Sequence, residues 1–354
     1  MPVQLETVRE QIEAAAATGR RLRLRGGGTK DFYGEPPQGE LLEVNGYRGV
    51  IDYEPSELVV TARAGTPLGE LEALLAGEGQ MLAFEPPHFG AAATVGGCVA
   101  SGLSGPRRAA AGSLRDHVLG VALVDGRGRL LRFGGRVMKN VAGYDVSRLM
   151  AGSLGVLGWI AEVSLKVLPR PRAERALRFD LSQPEALAAL VRWAAQPFPI
   201  SASAWDEGVL RVRLSGAPAA VAQAARALGG ESLAEEEAVA YWRALREHEL
   251  PFFAGDRPLW RIAVPANVPP LALPGPQLVE WDGALRWLRT EAPAAEVRAA
   301  AAAAGGHATL FRTSGERREV FAPLTASGAR LHAALKEVFD PKRILNPGRL
   351  YPGL

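Results

Sequence analysis

Residues 22–30 read Leu-Arg-Leu-Arg-Gly-Gly-Gly-Thr-Lys, a short strand pattern that runs directly into three glycines. A second glycine segment, Ala93-Thr-Val-Gly-Gly97, follows later in the chain. Glycines let the backbone approach a ligand closely, and inward-turned backbone amides form a concavity that accepts anions. Either segment alone can be a tight turn. Together they indicate a phosphate-bearing dinucleotide that is held from two sides.

A nicotinamide-binding Rossmann unit is the obvious competitor for this pattern. It requires G-x-G-x-x-G after a strand, with a helix that opens directly from the turn. After Thr29 the chain reads Lys-Asp-Phe-Tyr-Gly-Glu-Pro-Pro, and the glycine and two prolines exclude a long helix there. The first glycine loop is therefore not typical of a Rossmann fold.

Composition places the chain among ordinary globular proteins. Its 354 residues suit two or three packed units, and 47% hydrophobic and 22% charged residues are unremarkable for such a protein. The net charge is +3, and arginine supplies nearly all the cations. That bias is compatible with an anionic ligand, although a GC-rich genome or a thermophilic host explains it equally well. No basic cluster is interleaved with aromatic residues, so nucleic acid is not an expected partner.

The single cysteine and the first residues of the chain indicate the cellular compartment in which the protein is expected. A single cysteine, Cys98, excludes an internal disulfide and an iron–sulfur cluster within this chain. The first residues show no signal peptide, and the uncharged stretch from His88 to Pro106 is rich in glycine and small polar residues rather than typical of a membrane helix. We expect a cytoplasmic protein without a transmembrane segment. Peripheral attachment to the inner membrane through partner subunits stays open.

Hydrophobic periodicity and the breaker residues outline the organisation. Pro169-Arg-Pro171 marks the best domain boundary, after which strands alternate with alanine-rich helices. This alternation predicts a sheet that is covered by helices on one face. The predicted helices are 4–18, 67–76, 184–196, 217–228, 293–304 and 328–338. The predicted strands are 21–25, 40–45, two within 52–64, 118–124, 129–132, 159–167, 175–180, 200–205, 208–214 and 259–265.

Further motifs resemble a known flavoprotein family. The stretches Arg136–Asp145 and Ser147–Gly158, taken with the two glycine segments, are similar to the flavin-binding domain of the vanillyl-alcohol oxidase and cresol methylhydroxylase superfamily. Segments 101–108, 113–116 and 137–148 more closely resemble the FAD-binding (E) subunits of bacterial glycolate oxidases. The tail 339–349 is similar to that of the wider 2-hydroxyacid dehydrogenase family.

This resemblance implies an α+β fold with three parts. A PCMH-type two-part FAD-binding domain is expected over residues 1–170, and a smaller α+β cap domain with an antiparallel sheet over 171–327. Residues 328–354 are expected to form a C-terminal helix and a tail that returns to the flavin domain.

The resemblance also implies the cofactor and its site. The residues expected to hold FAD are Arg25, Gly26, Gly27, Gly28, Thr29, Thr94, Val95, Gly96, Gly97, Ser101, Gly102, Gly155 and Ile160. Some superfamily members carry a histidine in the first loop that bonds covalently to the flavin, whereas this loop has Gly27, Gly28 and Thr29. We therefore expect non-covalent FAD, with Cys98 as a packed side chain.

The catalytic residues cannot be assigned from the sequence. Catalytic relatives of this kind carry a His-Gly-Asp-Gly-Asn-type segment that supplies metal ligands, whereas residues 305–312 here read Gly-Gly-His-Ala-Thr-Leu-Phe-Arg. The five histidines show no ligand spacing, so no metal site is expected, and His307 is interpreted as a strand residue. Candidates for a role near the flavin or the substrate carboxylate are His88, Arg107, Arg108, Arg312 and Arg318.

Three functional hypotheses follow from the resemblance. In the first, the chain is the FAD-binding subunit of a glycolate oxidase complex, which oxidises a small 2-hydroxyacid and passes electrons through the flavin to a partner subunit. In the second, it is a non-catalytic flavin-bearing or assembly subunit. In the third, it is a stand-alone FAD-dependent sugar or alditol oxidase. The first two imply a catalytic flavoprotein subunit and an iron–sulfur subunit as partners.

Overall fold

The structure, a computed structural model, describes residues 3–135 and 144–354. Most of the segment Arg136–Asp145, which carries part of the family resemblance, lies outside the described residues. The helices are α1 (Val3–Thr18), α2 (Leu68–Gly77), α3 (Val95–Ser101), α4 (Arg108–Ala111), α5 (Leu114–His117), α6 (Val146–Leu149), α7 (Gln183–Ala194), α8 (Pro218–Leu228), α9 (Glu235–Glu247), α10 (Ala294–Ala303) and α11 (Ala326–Phe339).

The strands form two large sheets and two small ones. They are β1 (Leu22–Arg25), β2 (Glu40–Glu43), β3 (Val50–Glu54), β4 (Val59–Arg63), β5 (Gln80–Met81), β6 (Val118–Val124), β7 (Leu130–Gly134), β8 (Trp159–Lys166), β9 (Leu168–Pro169), β10 (Ala173–Asp180), β11 (Ile200–Asp206), β12 (Val209–Gly216), β13 (Glu231–Ser232), β14 (Leu259–Ala263), β15 (Gln277–Glu280), β16 (Leu285–Arg289) and β17 (His307–Arg312).

The first large sheet is antiparallel and has the strand order β3-β4-β8-β6-β7. Strand β6 is an uninterrupted apolar run in which every residue is buried, as a strand covered on both faces requires. Helix α2 covers this core with Leu68, Leu71 and Leu75, whose spacing of three and four residues places them on one helix face. A separate parallel pair, β1 and β2, ends where the first glycine loop begins.

The second large sheet is also antiparallel, with the order β13-β10-β12-β11-β15-β16-β14-β17. Helices α7, α8 and α10 pack on one of its faces through apolar side chains. The opposite face carries a cluster that includes Trp287 and Phe311 and extends to Tyr33 and Leu103 of the first part of the chain. The predicted α+β class and the antiparallel second sheet are confirmed. The predicted helix cover on one face alone is wrong, because α9 packs on the opposite face through Trp242 and Leu245. The domain limits 1–170, 171–327 and 328–354 stay a prediction.

The C-terminal tail packs against the first part of the chain. Lys336 on α11 is fully buried, and its Nζ donates to Val156 O (2.7 Å), to Asp340 Oδ2 (2.8 Å) and to Leu345 O (2.9 Å). The buried ammonium has three acceptors, and Asp340 is the one that carries a compensating charge. Removal of the Asp340 carboxylate would leave the buried ammonium without a counter-charge. Leu345 then forms a parallel bridge with Leu22 at the start of β1. The tail is thereby fixed beside the first glycine loop.

The structure differs from the sequence-based expectation at the second glycine segment. It is not a loop, because the segment opens helix α3, whose N-cap is Thr94. The Thr94 side chain accepts a hydrogen bond from Gly97 N (3.1 Å), which is the ordinary way to satisfy a free amide in the first turn of a helix. The sequence also left strands β15 and β16 and helix α9 unassigned, and within β17 it predicted only that His307 is a strand residue.

Candidate functional site

The first glycine loop presents a row of backbone amides that have no protein acceptor. The carbonyl of Arg25 accepts from Val44 N and that of Gly28 accepts from Asp31 N, so the loop is fixed through its carbonyls. Within the described residues, the N–H groups of residues 26–29 donate to no protein atom. Unpaired amides clustered in a glycine loop form an anion-binding concavity, because each exposes the positive end of its dipole. This loop can therefore accept a phosphate.

Close packing explains why this loop needs glycine. A Cβ atom built on Gly27 would lie 1.5 Å from Ala92 O, and one on Gly26 would lie 2.7 Å from Thr94 Oγ1. Gly28 has a φ of +72°, a left-handed conformation that other residues adopt only with strain. The loop thus lies directly against the segment that precedes α3, and no side chain fits between them.

The backbone amides of the second glycine segment do not face a ligand, contrary to what the sequence suggested. Gly96 N donates to Ala64 O (2.8 Å), Gly97 N donates to Thr94 Oγ1, and Val95 N also donates to a backbone carbonyl. These amides are used inside the protein and are not available to a phosphate. The expectation that inward-turned amides of both glycine segments hold the dinucleotide from two sides is corrected accordingly: the first loop has free donors, and the second provides a close-packed wall.

A cavity lies between these segments and the first sheet. It encloses about 930 Å³ of atom-free space, including its opening to solvent. The predicted residues that line it are Arg25, Gly26, Gly27, Gly28, Thr29, Thr94, Gly96, Gly97, Ser101, Gly155 and Ile160. Val95 is buried below it and Gly102 caps α3 outside it. The structure therefore brings all the predicted residues except these two into one cavity.

Asn346 in the C-terminal tail also lines the cavity and was not predicted. Its Oδ1 accepts from Leu24 N (2.7 Å), and its Nδ2 donates to Leu154 O (2.6 Å). The residue adopts a φ of +41°, a left-handed conformation that asparagine tolerates better than most side chains. The Asn346 side chain thus connects β1 to the loop around Gly155. A Cβ atom built on Gly155 would lie 2.6 Å from Asn346 Nδ2, so a larger residue does not fit there.

Arg349 is a second tail residue at the cavity. It is buried, and its guanidinium donates to the carbonyls of Asp31 (3.1 Å) and Glu35. Burial lowers the pKa of Arg349 to about 10, so the group stays cationic at neutral pH. The tail sequence Asn-Pro-Gly-Arg gave a family resemblance, but nothing local in it indicated contact with a loop more than 300 residues earlier.

The cations around the first loop are largely engaged. Arg23 and Arg25 both bind Asp31 Oδ2, at 2.6 and 2.9 Å. Lys30 donates to the carbonyl of His88 at 3.1 Å, and burial lowers the pKa of its ammonium. Backbone amides, rather than free arginine side chains, are thus the main unpaired donors at this loop.

Comparison with known proteins defines the class to which this fold and cavity belong. Residues 1–134 match the family described as FAD binding domain, and residues 284–350 match the family described as FAD linked oxidases, C-terminal domain. The class is therefore that of the FAD-linked oxidases, the expected cofactor FAD is confirmed, and the sequence resemblance is borne out.

The relatives narrow this class. The chain is 48% identical over 345 residues to the glycolate oxidase subunit GlcE of Escherichia coli, covering 98% of this chain and 97% of that protein. It is 32% identical over 156 residues to the glycolate oxidase subunit GlcD of Bacillus subtilis, covering 43% and 33% of the two chains. The chain belongs to the family of GlcE-type glycolate oxidase subunits.

A solved structure supports the fold alone. Alkyldihydroxyacetonephosphate synthase superposes with a TM-score of 0.67 at 15% identity, covering 96% of this chain and 75% of that one.

The cavity fits FAD, because a glycine cradle with unpaired amides suits its pyrophosphate. Among the described residues that line the cavity there is no histidine or cysteine, in accord with a non-covalent cofactor. Cys98 belongs instead to the buried core of the first part of the chain, where burial raises the pKa of its thiol to about 12. It stays a neutral, packed side chain, as expected from the sequence.

The sequence-based catalytic candidates lie outside the cavity lining. His88 Nε2 lies 3.0 Å from Glu72 Oε2, and Arg318 is an exposed residue paired with Glu316. Arg107 is buried. It pairs with Glu85 at 3.3 Å and Glu174 at 2.5 Å, so its charge is already compensated.

Arg312 stacks on aromatic rings at the junction between the two parts of the chain. Its Cζ lies 4.5 Å from the ring centroid of Phe32 and 5.7 Å from that of Phe89. Burial lowers the pKa of its guanidinium. The guanidinium of Arg312 lies close to the segment that follows the first glycine loop, where it contacts aromatic rings rather than a carboxylate.

Arg108 and Arg261 form a pair that the sequence did not bring together. Their Cζ atoms lie 4.4 and 5.1 Å from the ring centroid of Trp281, which is buried and donates from Nε1 to Gly105 O (3.0 Å). Neither arginine forms an ion pair within the described part of the chain. Two guanidinium groups that lie on one ring without a direct ion pair can bind a carboxylate.

Aromatic rings fill the space beside this pair. His248 stacks on Phe253 with centroids 3.9 Å apart, and Trp287 and Phe311 lie against the same imidazole at 4.7 and 5.2 Å. Burial lowers the pKa of His248 well below its usual range, so the ring is neutral. The atom-free space here is about 320 Å³, about a third of that in the cofactor cavity.

Glu280 borders this smaller space. Its Oε1 accepts from Trp287 Nε1 at 2.6 Å, and burial raises the pKa of its carboxyl to about 7. His307 begins β17 and is exposed, as expected for a strand residue. Among the described residues, no group of three or more histidine, cysteine or acidic side chains is arranged to hold a metal ion.

Proposed function

We propose that this chain is the FAD-binding subunit of a glycolate oxidase complex, which oxidises glycolate to glyoxylate and passes electrons through the flavin to a partner subunit. The observation that carries the proposal is the cavity with four unpaired amides at residues 26–29, in a chain that aligns with GlcE over 97% of that protein. A dinucleotide needs such donors, and the GlcE alignment supplies the biochemical context.

The first loop would hold the pyrophosphate through its amides, since no side chain obstructs the approach. Gly155 and Ile160 would contact the adenosine half, and Asn346 would keep the wall of the cavity closed. Bound FAD supplies a hydride acceptor for the α-carbon of a 2-hydroxyacid. The protein's own contribution is to orient the cofactor and to exclude water from it by the apolar strands around it.

The pair Arg108 and Arg261 is the best candidate for the substrate carboxylate. Neither forms a direct ion pair in the described part of the chain, whereas Arg107 is already ion-paired and Arg318 is exposed. A charge-assisted, bidentate contact from guanidinium to carboxylate is the usual basis for recognising a small acid.

A second candidate function has an observation in its favour. The small space beside Glu280 is filled by the rings of His248, Trp287 and Phe311, and it leaves little room for a substrate. A chain with this arrangement would bear FAD and stabilise the complex, while a sister flavoprotein subunit oxidises glycolate. The partners in either case would be a catalytic flavoprotein subunit and an iron–sulfur subunit, since this chain has one cysteine.

The proposed location is the cytoplasm, with contact to the inner membrane through partner subunits. Within residues 3–135 and 144–354, no helix is both long and apolar enough to cross a bilayer.

Anaerobic mixing of the purified, FAD-loaded chain with glycolate tests autonomous oxidation. Loss of flavin absorbance supports a catalytic subunit. An unchanged spectrum, combined with loss of glycolate oxidation by the complex when this chain is omitted, supports the non-catalytic function instead. Full activity of the other subunits without this chain would contradict both. A screen for hydrogen peroxide with sugars and alditols separates the third hypothesis, a stand-alone oxidase.

A further inference from the structure

The second sheet has an open edge at strand β10. Its outer neighbour β13 has two residues and pairs with β10 at Leu177 and Arg178. One further backbone hydrogen bond, from Leu233 N to Ala176 O (3.0 Å), extends the pairing on this side of β10 by one residue. Beyond it, residues 173–175 have β12 on one side and no strand on the other within the described chain. An edge of this kind offers unpaired N–H and C=O groups to another strand.

This edge lines a long groove. Helix α9 forms the opposite wall, and the groove encloses about 1850 Å³ of atom-free space, about twice that of the cofactor cavity measured in the same way. Apolar side chains of α9 and of the segment before it line the groove. Trp242 is buried there, Leu233 and Ala238 are half-buried, and Val239 is 63% exposed. An extended polypeptide fits a groove that combines a strand edge with apolar contacts.

The arginines of the groove fall into two groups. Arg213 pairs with Glu85 at 2.8 Å, and Arg246 pairs with Glu247 at 2.7 Å, so both are compensated. The second group is exposed, and its members form no ion pair in the part of the chain that the structure describes: Arg172, Arg175 and Arg243. Arg175 lies opposite Leu214, so its side chain projects from the face of β10 that α7 and α8 cover, at the open edge of the strand. All three cations are available to a strand that adds to this edge.

The acidic residues of the groove do not cancel this charge. Glu85 lies between Arg213 and Arg107, and Glu174 is held by Arg107 and by Ser215 Oγ at 2.5 Å. Glu235, at the first turn of α9, is the other carboxylate that lines the groove. The three free arginines therefore leave a net positive surface beside the open strand edge.

We propose that the groove between β10 and α9 binds an extended acidic segment of another protein subunit, which adds to the open edge of β10 as a further strand. Main-chain hydrogen bonds to residues 173–175 would supply affinity, and carboxylates on Arg172, Arg175 and Arg243 would supply specificity. The groove is lined by residues that do not line the cofactor cavity. The inference is therefore independent of which substrate the flavin oxidises.

Fluorescence anisotropy of a labelled peptide tests this inference. The probe is a short peptide in which glutamate alternates with valine, titrated with the FAD-loaded full chain. We expect saturable binding that weakens with added salt, since exposed charges are screened. The triple variant R172E/R175E/R243E should bind at least about tenfold more weakly, because three attractive contacts become repulsive. The matched control R192E/R226E/R330E, with exposed arginines elsewhere, should stay within about twofold of the wild type.

A second peptide separates strand addition from charge alone. N-methylation of alternate backbone amides preserves the carboxylates but blocks pairing, so this peptide should bind at least about tenfold more weakly. Amide hydrogen exchange at residues 173–176 should slow when the unmodified peptide binds. Thermal unfolding and FAD content verify that each variant is folded.

Several results would overturn the inference. Equal binding by the triple variant and its control would remove the arginines from the site, and equal binding of the methylated peptide would exclude strand addition. Absence of binding up to about millimolar protein would refute an acidic occupant. Self-association of the wild type that the triple variant abolishes would assign the groove to a second copy of this chain instead.

Discussion

Replacing Asn346 by alanine should both destabilise the fold and weaken FAD binding. The side chain is 8% exposed and makes two short hydrogen bonds, from Leu24 N at 2.7 Å and to Leu154 O at 2.6 Å. Truncation leaves a buried donor and a buried acceptor without partners, at about 1–3 kcal/mol for each group. The φ of +41° adds a smaller cost for alanine, because the left-handed region suits asparagine better. We expect a loss of roughly 2–4 kcal/mol in the free energy of unfolding.

The effect on the cofactor follows from what Asn346 connects. It joins β1, which leads into the first glycine loop, to the loop at Leu154 and Gly155, and these segments line the same cavity. If the substitution destabilises the cavity conformation that binds FAD by about 1.4 kcal/mol, the dissociation constant for FAD rises about tenfold.

Urea unfolding of the apo and FAD-saturated protein measures the stability change, and titration of flavin fluorescence measures the affinity. Asn267→Ala is the matched control, because Asn267 is exposed in a loop. The control should lie within about 0.5 kcal/mol of the wild type. The reasoning is refuted if Asn346→Ala unfolds like this control and binds FAD with unchanged affinity.

Three further changes test other parts of the account. Lys336→Met should destabilise the protein by about 3–5 kcal/mol in urea unfolding, because it leaves the buried Asp340 carboxylate unpaired. Burial raises the pKa of Glu280 from 4.5 in the unfolded chain to about 7 in the folded protein. Between these pH values the folded state binds more protons than the unfolded state, so the free energy of unfolding falls as pH rises from about 4.5 to 7. Glu280→Gln should therefore be more stable than the wild type by a few kcal/mol at about pH 8 and similar to it at about pH 4, as unfolding at the two pH values would reveal. Arg261→Gln should slow flavin reduction by glycolate at least about tenfold while the exposed control Arg318→Gln does not, and equal rates in stopped-flow would exclude Arg261 from carboxylate binding.

The sequence predicted the first glycine loop of the site, because the residues within and just after this loop determine its conformation. Three glycines after a strand, followed by two prolines, suffice to predict a phosphate-binding loop without a Rossmann helix. Asn346 and Arg349 escaped prediction because their roles depend on the tail packing beside β1, which no local pattern encodes. The second glycine segment was read as a loop since Thr94 is followed by glycines, although threonine is also a good helix N-cap.

The missed strands have a similar physical explanation. β16 reads Leu-Arg-Trp-Leu-Arg over residues 285–289, and all five residues are buried. The alternation of apolar and polar residues is lost because Arg286 lies on the helix-covered face. Its guanidinium donates to Gly283 O (2.7 Å) and Val268 O (2.8 Å), which makes a buried cation tolerable. Periodicity cannot reveal a strand whose charged side chains are buried against carbonyl oxygens outside that strand.

The central claim, that the first glycine loop holds FAD without a covalent bond, is tested most directly by comparing FAD binding in two glycine variants. Gly27→Ala places a Cβ 1.5 Å from Ala92 O, whereas Gly46→Ala meets no atom within 4 Å. We expect wild type and Gly46→Ala to be purified with FAD that is released on denaturation. Folded Gly27→Ala should bind FAD at least about a hundredfold more weakly, equivalent to about 2.7 kcal/mol. Equal FAD affinity in the two variants, or flavin that stays on the denatured chain, would contradict the account.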